Sequence, residues 1–359
     1  MPVLPPPDGR RWPVAVLGAT GAVGQTFLRL LHDHPWFEVA ELAASERSAG
    51  QAYGAVAKWL DGAMPQRYAD RAVLPCDPAV VHAPIVFSAL DSSVAGEVEA
   101  AFAHAGRLVF SNAKNYRMAP DVPLLIPEVN PDQLGLISRQ RRERHWPGAI
   151  LTNANCAATV AAVALAPIHE RFGIRQLVLT TMQAVSGAGY PGVPSLDILG
   201  NAIPYIADEE PKIEAELAKL LGRTEGELLK PAGLRASAHA NRVAVEHGHT
   251  VCASIGCASP TSADAVIAAI DEWAGDRHVA GLPSAGRALV RTDAPNRPQP
   301  RRDVYAGAGM TVTVGRIRPD PVFDVKLVAL GHNVVRGAAG GSILNAELAL
   351  AQGLRPHAS

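Results

Sequence analysis

The sequence predicts a two-domain α/β protein, with a parallel sheet in the first domain and a mixed sheet of α+β type in the second. The chain has 359 residues, which exceeds the size of one ordinary hydrophobic core. In its first part short apolar runs alternate with helical patterns, as in a doubly wound parallel sheet. Longer strands with partial alternation follow, beginning with Gln176 to Ala184, and these are typical of an open mixed sheet.

The composition narrows the class of protein. Hydrophobic residues make up 48% of the chain and charged residues 19%, so the chain can bury large cores. The net charge of −1 gives no reason to expect a nucleic-acid or membrane partner. The four cysteines are scattered, which predicts no metal site and suits a reducing cytoplasm. The Pro-rich segment Met1 to Arg11 lacks the apolar core of a signal peptide, and no apolar run has the length of a membrane span. We therefore expect a cytoplasmic protein.

The first strand and helix carry a glycine-rich turn. The apolar run Trp12 to Leu17 predicts a strand, and Gln25 to His32 predicts a helix. Between them, Gly18 permits a tight turn, Gly21 lets a pyrophosphate approach the backbone, and Gly24 lets the helix pack closely. This context predicts a Rossmann-type dinucleotide site rather than a plain turn. The predicted cofactor contacts in this turn are Gly18, Thr20, Gly21, Ala22, Val23 and Gly24.

The end of the second predicted strand, Phe37 to Ala44, bears on cofactor choice. NAD sites usually place an acidic residue there, and Glu46 is available for that role. Arg47, which lies between Ser45 and Ser48, is a better match for a 2′-phosphate, because a guanidinium binds phosphate through two hydrogen bonds. The sequence favours NADP over NAD. The alternative is that Arg47 is only a solvated loop charge.

Further short apolar runs predict more parallel strands. A helix is predicted over Ser93 to Ala103. Loops that follow parallel strands face the ligand crevice, so Arg117 is a candidate anion-binding residue, although a single arginine is more often a surface residue. The strands are predicted at Ile85 to Leu90, Leu108 to Phe110, Leu124 to Ile126 and Ile150 to Thr152.

Cys156 lies where the last of these strands meets a predicted helix. It follows Asn153-Ala-Asn155 and precedes a helical pattern from Val160 to Phe172. Unpaired N–H groups and the positive end of the helix dipole favour an anion there, so the thiol is expected to lose its proton more easily and to act as a nucleophile. The alternative is a small buried cysteine with no chemical role.

A second dense segment runs from Arg242 to Thr250 and contains Glu246, His247 and His249. A thiolate nucleophile commonly needs a histidine as acid and base. Both histidines precede a predicted strand, and their spacing does not choose between them. The other predicted elements are helices at Glu210 to Leu221, Ser262 to Ala274 and Ile343 to Leu350, strands within Thr250 to Ile255 and Thr311 to Leu330, and a connecting loop at Arg291 to Arg302.

The chain resembles the aspartate-β-semialdehyde dehydrogenase family, in particular its archaeal and fungal-type branch. Asn-Cys-Ala at Cys156, with Gln-Ala-Val-Ser-Gly-Ala-Gly downstream from Gln183, is the most specific part of the match. The resembling segments are Gly18–Gly24, Ser45–Gly50, Ser111–Arg117, Asn153–Thr159, Gln183–Asn201, Glu209–Lys212, Arg242–Thr250 and Asn333–Leu348.

The resemblance implies a role for each matching residue. Cys156 would be the nucleophile, His249 the acid and base, and Gln183 the residue that positions the acyl group. The substrate-binding residues would be Arg242, which holds a carboxylate, and Arg117, Glu209 and Lys212, which bind phosphate and orient the substrate. Ser45, Arg47, Ser48, Ser186, Gly187 and Asn333 would contact NADP. Asn333 and the Gly-rich stretch after Arg336 would lie near the nicotinamide.

The resemblance also implies a fold like that of glyceraldehyde-3-phosphate dehydrogenase. Residues 1–155 and 333–359 would form the NADP-binding domain, and residues 156–332 the catalytic and dimerisation domain of a homodimer or homotetramer. The implied reaction is the NADPH-dependent conversion of β-aspartyl phosphate to L-aspartate β-semialdehyde and phosphate through a thioester, in lysine, threonine and methionine biosynthesis. No metal is needed, because the acyl-enzyme already divides the difficult step in two.

Two residues depart from the family pattern near the histidine pair. Ala244 stands where relatives tend to have proline, and His247 stands where they tend to have an acid.

The sequence leaves two alternative functions open. One is a related NADPH-dependent acyl reductase, for example one acting on malonyl-CoA. The other is a catalytically silent NADP-binding protein.

Overall fold

A computed structural model describes residues 3–357, and its first part is built on a seven-stranded sheet in the order β3-β2-β1-β4-β5-β7-β6. Every pairing in this sheet is parallel. Its strands are β1 Trp12–Leu17, β2 Phe37–Ala44, β3 Leu74–Pro75, β4 Ile85–Ser88, β5 Leu108–Ser111, β6 Leu124–Leu125 and β7 Ala149–Asn153.

This first sheet is buried on both faces. Every residue of β4, β5 and β7 is buried, which explains why these strands appear in the sequence as continuous apolar runs. Phe27, Phe37 and Phe110 each pack against Phe87 in its core. The helices of this part are α1 Ala22–Leu30, α2 Tyr53–Val56, α3 Gln66–Ala69, α4 Ser92–His104 and α5 Leu136–Arg144.

The second sheet is also seven-stranded but mixed, in the order β14-β15-β16-β13-β8-β12-β9. The β8–β12 and β14–β15 pairings are parallel and the others antiparallel. In chain order the strands of this part, including the separate hairpin β10–β11, are β8 Ile174–Gln183, β9 Ala202–Ile203, β10 Arg223–Glu225, β11 Leu228–Lys230, β12 Arg235–Val243, β13 His249–Cys257, β14 Leu289–Arg291, β15 Val312–Pro319 and β16 Val325–Gly331. The predicted fold class, a parallel domain joined to a mixed one, is confirmed.

In residues 3–357, helices cover one face of the second sheet and leave residues of the other face exposed. Leu177 and Leu179 of β8 pack into a core with residues of the covering helices, whereas Val178 and Met182 on the opposite face are each 37% exposed. The helices of the second part are α6 Cys156–Phe172, α7 Ser195–Ile198, α8 Glu209–Leu220, α9 Ala263–Asp271, α10 Pro300–Asp303 and α11 Gly340–Ala351, with a π-helix at Val335–Ala339. Of the described helices, none is long and apolar enough to cross a membrane.

The C-terminal part of the chain returns to the first sheet. Helix α11 contacts β5 and β7, and Ile343 and Leu344 lie in the core of the first sheet. Val279 and Leu282, which precede β14, join the same core. The division at residues 155 and 333 stays a prediction, and these contacts show that the first sheet's core also draws on residues between those boundaries.

The sequence did not predict α5 or β12. Helix α5 has the sequence Leu-Ile-Ser-Arg-Gln-Arg-Arg-Glu-Arg, in which few apolar residues mark a buried face. Strand β12 alternates small and polar residues of low β propensity, and its pairing along β8 supplies what its own sequence lacks. The predicted loop Arg291 to Arg302 is wrong at both ends, because it contains the last residue of β14 and most of α10.

Candidate active site

Cys156 is the first residue of α6, as its flanking sequence predicts. The preceding residue, Asn155, caps the helix, and its Oδ1 accepts the N–H groups of Ala157 (2.9 Å) and Ala158 (3.0 Å). Cys156 is partly exposed, although its neighbours on both sides are buried. The loop from β7 into α6 therefore places a thiol at a helix N-terminus with access from outside.

His249, the first residue of β13, faces this thiol. Its Nε2 lies 3.1 Å from Sγ of Cys156, and the ring is completely buried. On the other side of the ring, the Ala184 N–H donates to Nδ1 over 3.1 Å. A backbone N–H can only donate, so a neutral His249 carries its proton on Nε2, which points at the sulfur. The histidine that meets Cys156 is thus His249, which resolves the choice that spacing left open.

Burial sets the charge state of this pair. Burial lowers the pKa of His249, and the charge of Arg242 lowers it further, so the ring is neutral. Burial raises the pKa of the Cys156 thiol, and the Glu209 carboxylate adds to the rise. Arg117, Arg242 and the Ala157 N–H act in the opposite direction but do not cancel it. The lowering of the thiol pKa that a helix N-terminus favours is thus opposed here by desolvation.

A buried carboxylate and two amides lie beside the pair. Oε1 of Glu209 accepts from Nδ2 of Asn155 (2.9 Å) and from Nε2 of Gln183 (3.0 Å). Glu209 begins α8 and Gln183 ends β8, so their elements converge on the start of α6. The structure therefore brings both predicted residues to the cysteine.

Arg242 carries a charge without a matching carboxylate. Its Nη1 donates to the Ala184 carbonyl over 2.7 Å, and it is 6% exposed. In residues 3–357 no carboxylate lies within ion-pair distance of it. A Cβ added at Gly187 would lie 2.9 Å from Nη1 of Arg242 and 3.2 Å from the His249 ring, so a larger residue there would displace one of these side chains. A buried guanidinium in this state can bind an anionic ligand.

Arg117 is anchored differently from Arg242. Its Nη1 pairs with Oε1 of Glu216 (3.0 Å), and its Nη2 donates to the Asn112 carbonyl (2.7 Å). The other carboxylate oxygen of Glu216 accepts the Asn155 N–H over 2.6 Å. Arg117 thus reaches the cysteine loop through Glu216, a residue that the sequence reasoning missed. Glu216 lies two helical turns after Glu209, and that spacing was the available signal.

Lys212 lies at the rim of this cluster. It is one helical turn after Glu209 and partly exposed, and its Nζ is 3.5 Å from the Ala207 carbonyl. Nearby, Lys114 pairs with Asp208 over 3.0 Å. In the described part of the chain Lys212 has no carboxylate partner within ion-pair distance, so its ammonium group is available to an anion that enters the site.

The glycine-rich turn has the shape that a dinucleotide requires. A Cβ at Gly24 would lie 2.2 Å from the Gly18 carbonyl oxygen, and one at Gly18 would lie 2.5 Å from the Ala89 carbonyl oxygen. Gly18 also has φ +69°, a conformation that favours glycine. Gly21 is the N-cap of α1 and supplies no side-chain cap, so first-turn N–H groups of α1 are left for an anion. Thr20, Ala22 and Val23 lie within the same turn, and the residues present fit a bound pyrophosphate.

The turn after β2 carries the residues predicted to choose NADP. The Ser48 N–H donates to the Ser45 carbonyl (2.9 Å), and the Arg47 side chain is exposed. No ion pair involves Arg47 among the described residues. Its guanidinium group is free to meet a 2′-phosphate, and Glu46 is exposed beside it.

The π-helix packs directly against Cys156 and against Asn153, the last residue of β7. A Cβ at Gly337 would lie 2.6 Å from Cβ of Cys156, so the two backbones nearly touch. Nδ2 of Asn153 donates to the carbonyls of Gly337 (3.1 Å) and Ala338 (3.3 Å), contacts that the sequence reasoning missed. Ser186 and Asn333 lie close by and are joined by a 2.8 Å hydrogen bond. Among the described residues no group of three or more His, Cys, Asp or Glu is arranged to hold a metal ion.

Comparisons with known proteins agree with this geometry. The family model described as semialdehyde dehydrogenase, NAD binding domain, matches residues 13–137, and the one described as semialdehyde dehydrogenase, dimerisation domain, matches residues 165–336. Aspartate-semialdehyde dehydrogenase from Archaeoglobus fulgidus is 48% identical over 94% of this chain and 98% of its own, and the Schizosaccharomyces pombe enzyme is 46% identical over 95% and 98%.

A solved structure supports the same relationship. Aspartate semialdehyde dehydrogenase from Candida albicans, solved with NADP, is 41% identical, covers 96% of this chain and 100% of its own, and superimposes with a TM-score of 0.87. The enzyme II structure from Vibrio cholerae, at 26% identity, gives a TM-score of 0.75 over 96% of this chain and 100% of its own. The chain belongs to the aspartate-semialdehyde dehydrogenase family, in the branch that includes archaeal and fungal members.

Proposed function

We propose that this chain catalyses the NADPH-dependent reduction of β-aspartyl phosphate to L-aspartate β-semialdehyde with release of phosphate. The observation that carries the proposal is the 3.1 Å contact between Sγ of Cys156 and Nε2 of His249, beside the buried, carboxylate-free Arg242. A nucleophile, a proton-carrying ring and an anion-binding cation therefore meet at one point. The names of the relatives and their coverage of nearly the whole chain support the same reaction.

Cofactor binding is assigned to the first sheet. The turn from Gly18 to Gly24 would hold the pyrophosphate, and Arg47 with Ser45 and Ser48 would hold the 2′-phosphate. When bound, NADPH supplies the hydride that reduces the acyl carbon held on Cys156. The free guanidinium of Arg47 supports NADP rather than NAD, as does the NADP-bound relative.

Acylation uses the thiol of Cys156. Its sulfur attacks the carbonyl carbon of the acyl phosphate, so a C–S bond forms and the C–O bond to phosphate breaks. The thiol proton leaves with the phosphate, which departs as the hydrogen phosphate dianion. Arg117 and Lys212 are assigned to that phosphate, since a departing dianion needs positive charge nearby. The product of this step is a thioester on Cys156.

The second half of the reaction returns the cysteine to its starting state. Once the acyl carbon has been reduced, the C–S bond breaks, the aldehyde leaves, and Sγ of Cys156 regains a proton from solvent. Gln183 is assigned to hold the acyl group, because its amide is fixed on Glu209 next to the start of α6. Arg242 is assigned to the substrate carboxylate, because its planar guanidinium group can donate hydrogen bonds to both carboxylate oxygens.

In the tautomer that the Ala184 N–H favours, His249 presents its Nε2 proton to the sulfur. That proton stabilises negative charge on Sγ and then on the oxygen of the tetrahedral adduct. A ring with its proton on Nε2 has no lone pair there. Taking the thiol proton therefore requires the other tautomer, in which Nδ1 carries the proton and loses the bond from Ala184. The geometry thus supports the donor half of the proposed acid–base role directly.

The proposed assembly is a homodimer formed through the second sheet. Its uncovered face carries the exposed apolar residues Val178 and Met182, and the matching family model is described as a dimerisation domain.

We assign the aldehyde product to lysine, threonine and methionine biosynthesis. A cytoplasmic location is consistent with four unpaired cysteines among the described residues.

A turnover assay tests the function. Purified protein is given L-aspartate β-semialdehyde, NADP and phosphate, and the appearance of NADPH is followed by absorbance, with arsenate in place of phosphate as a second acceptor. We expect turnover that needs both the aldehyde and the acceptor. A parallel assay follows NADPH oxidation with malonyl-CoA. Activity with malonyl-CoA alone would assign the scaffold to a different acyl donor, and inactivity in both assays would favour a silent NADP-binding protein.

A further inference from the structure

We propose that His247 is a positioning residue that fixes the nicotinamide end of the site by orienting Ser186 and Asn333. The proposal rests on the proposed function, because NADPH is the ligand whose binding His247 would assist. His247 lies two residues before His249, and among residues 3–357 no hydrogen bond or ion pair joins its side chain to Cys156 or to the arginines of the site. Its side chain instead bonds Oγ of Ser186, which is bonded in turn to Asn333 between β16 and the π-helix.

The Gly248 N–H donates to Oδ1 of Asn333 over 2.9 Å, which fixes the orientation of that amide. Nδ2 of Asn333 therefore faces Ser186 and donates to its Oγ over 2.8 Å. Nδ1 of His247 lies 2.9 Å from the same Oγ, and Nε2 of His247 lies 3.7 Å from the Glu246 carboxylate. That carboxylate favours the proton on Nε2, which leaves Nδ1 to accept the Ser186 hydroxyl proton. His247 is the acceptor that orients the Ser186 hydroxyl group.

The His247 ring is itself held in one orientation. It stacks on the His332 ring at 4.8 Å between centroids, with 28° between the planes. Tyr305 meets the edges of both rings, at 6.4 Å from His247 and 5.2 Å from His332. Nδ1 of His332 accepts the N–H groups of Val334 (3.2 Å) and Val335 (3.3 Å), so this ring is tied to the start of the π-helix. Because the His332 ring is held by these hydrogen bonds, the His247 ring stacked on it resists rotation about its side-chain bonds.

The position of this network matches the nicotinamide end of the cofactor. The carbon to be reduced is attached to Sγ of Cys156, so the hydride-donating ring must lie next to that atom. Ser186 is two residues after Ala184, and Gly248 directly precedes His249, the residue 3.1 Å from Sγ. The Asn333 amide keeps one N–H and one lone pair beyond the bonds described, and these complement a primary carboxamide such as that of nicotinamide.

The consequence is a selective effect on one end of NADPH. Without the acceptor on His247, the Ser186 hydroxyl group is no longer oriented, and the Asn333 amide loses rigidity. The pyrophosphate turn at Gly18 to Gly24 and the 2′-phosphate residue Arg47 have no bond to this network. Binding of the adenosine end is therefore expected to be independent of His247.

The experiment compares His247→Leu with His247→Asn. The two side chains have the same branching and the same number of heavy atoms, but the Asn oxygen can take the place of Nδ1 and the Leu side chain has no acceptor. Each variant is titrated with NADPH and with adenosine 2′,5′-bisphosphate, which lacks the nicotinamide. We expect His247→Leu to weaken NADPH about fivefold to tenfold and to leave the bisphosphate unchanged. In His247→Leu, KM is expected to rise for NADPH but not for the acyl substrate. His247→Asn is expected to bind both ligands like the wild type.

Two further variants make the test decisive. Tyr305→Phe keeps the ring contacts and serves as the matched control, with NADPH affinity expected to be unchanged. His247→Phe keeps a ring to stack on His332 but has no acceptor for the Ser186 hydroxyl group, and it gives the answer if His247→Leu does not fold. Equal weakening of both ligands, or no weakening of NADPH in either variant, would overturn the role of His247. Failure of the wild-type protein to bind NADPH would instead overturn the proposed function.

Discussion

The two seven-stranded sheets place functional groups in the site in different ways. The first sheet is covered on both faces, and in β4, β5 and β7 polar side chains occur only at the C-terminal ends. It supplies backbone groups and loops instead: the Gly18–Gly24 turn, the loop that carries Arg117, and the β7–α6 junction at Cys156. The second sheet is covered on one face, and the ends of its strands carry the polar side chains Gln183, Arg242 and His249.

The two sheets therefore have different proposed roles: the parallel sheet binds the cofactor, and the mixed sheet supplies the side chains that take part in the reaction. The parallel sheet presents helix N-termini and turns, which suit the phosphates of a dinucleotide. The mixed sheet brings three neighbouring strands, β12, β8 and β13, to one edge, so that an arginine, an amide and a histidine converge. Cys156 is shared, since it ends the first sheet's last connection and begins the helix packed on the second sheet.

The largest expected effect is on turnover and comes from substitution of Cys156, which should abolish the chemistry and leave cofactor binding intact. The substitution Cys156→Ala removes the nucleophile, so kcat should fall by on the order of ten-thousand-fold or more. NADPH affinity, measured by titration, should stay within about twofold of wild type, because the cofactor turn is untouched. A variant that retains full turnover would refute the role of Cys156, and lost NADPH binding would refute the division between the sheets.

His249→Ala should have the next largest effect. The change removes the Nε2 proton that faces Sγ, and we expect kcat to fall by about a hundredfold or more while NADPH affinity is retained. The comparison is with His247→Asn, in which kcat should stay close to wild type. If single-turnover kinetics show His247→Asn to be the more damaging change, the histidine roles are reversed.

Substitutions of two neighbouring residues of β8 test the different roles of the two faces of the second sheet. Leu179 is completely buried beneath the helices, so Leu179→Ala should lower the free energy of unfolding by about 2–5 kcal/mol, measured by urea denaturation. Val178, the preceding residue, is on the uncovered face. Val178→Asp should leave the circular dichroism spectrum unchanged and shift the mass from dimer to monomer in sedimentation. An unchanged dimer mass would place the interface elsewhere.

The smallest effect is expected at the edge of the first sheet. Arg47→Ala should weaken NADPH by about tenfold to a hundredfold, because a charged hydrogen bond to the 2′-phosphate is lost. NADH affinity should not change. Replacing the neighbouring exposed Glu46 with Gln is the control and should not weaken NADPH. Equal losses for both nucleotides would mean that Arg47 does not contact the 2′-phosphate.

Much of the fold could be predicted because its signals are local. The Gly18–Gly24 spacing, the strand before it and the helix after it lie within one short stretch, and β1 and β2 have the predicted bounds. Helix α6 begins at Cys156 because Asn155 caps it, and that signal is also local. Strand β12 and helix α5 escaped prediction because their own residues favour neither element strongly, and pairing or packing with distant residues decides them.

The sequence by itself determined the kind of groups in the site: a helix-start cysteine, a histidine pair, arginines and a phosphate-binding turn. The tertiary structure decided which of them act together. It selected His249 over His247 for the thiol, fixed its proton on Nε2 through Ala184, and left Arg242 without a carboxylate partner while pairing Arg117 with Glu216. The physical reason is distance along the chain. Cys156 and His249 are 93 residues apart, and Arg117 and Glu216 are 99 apart, so no local pattern encodes either contact.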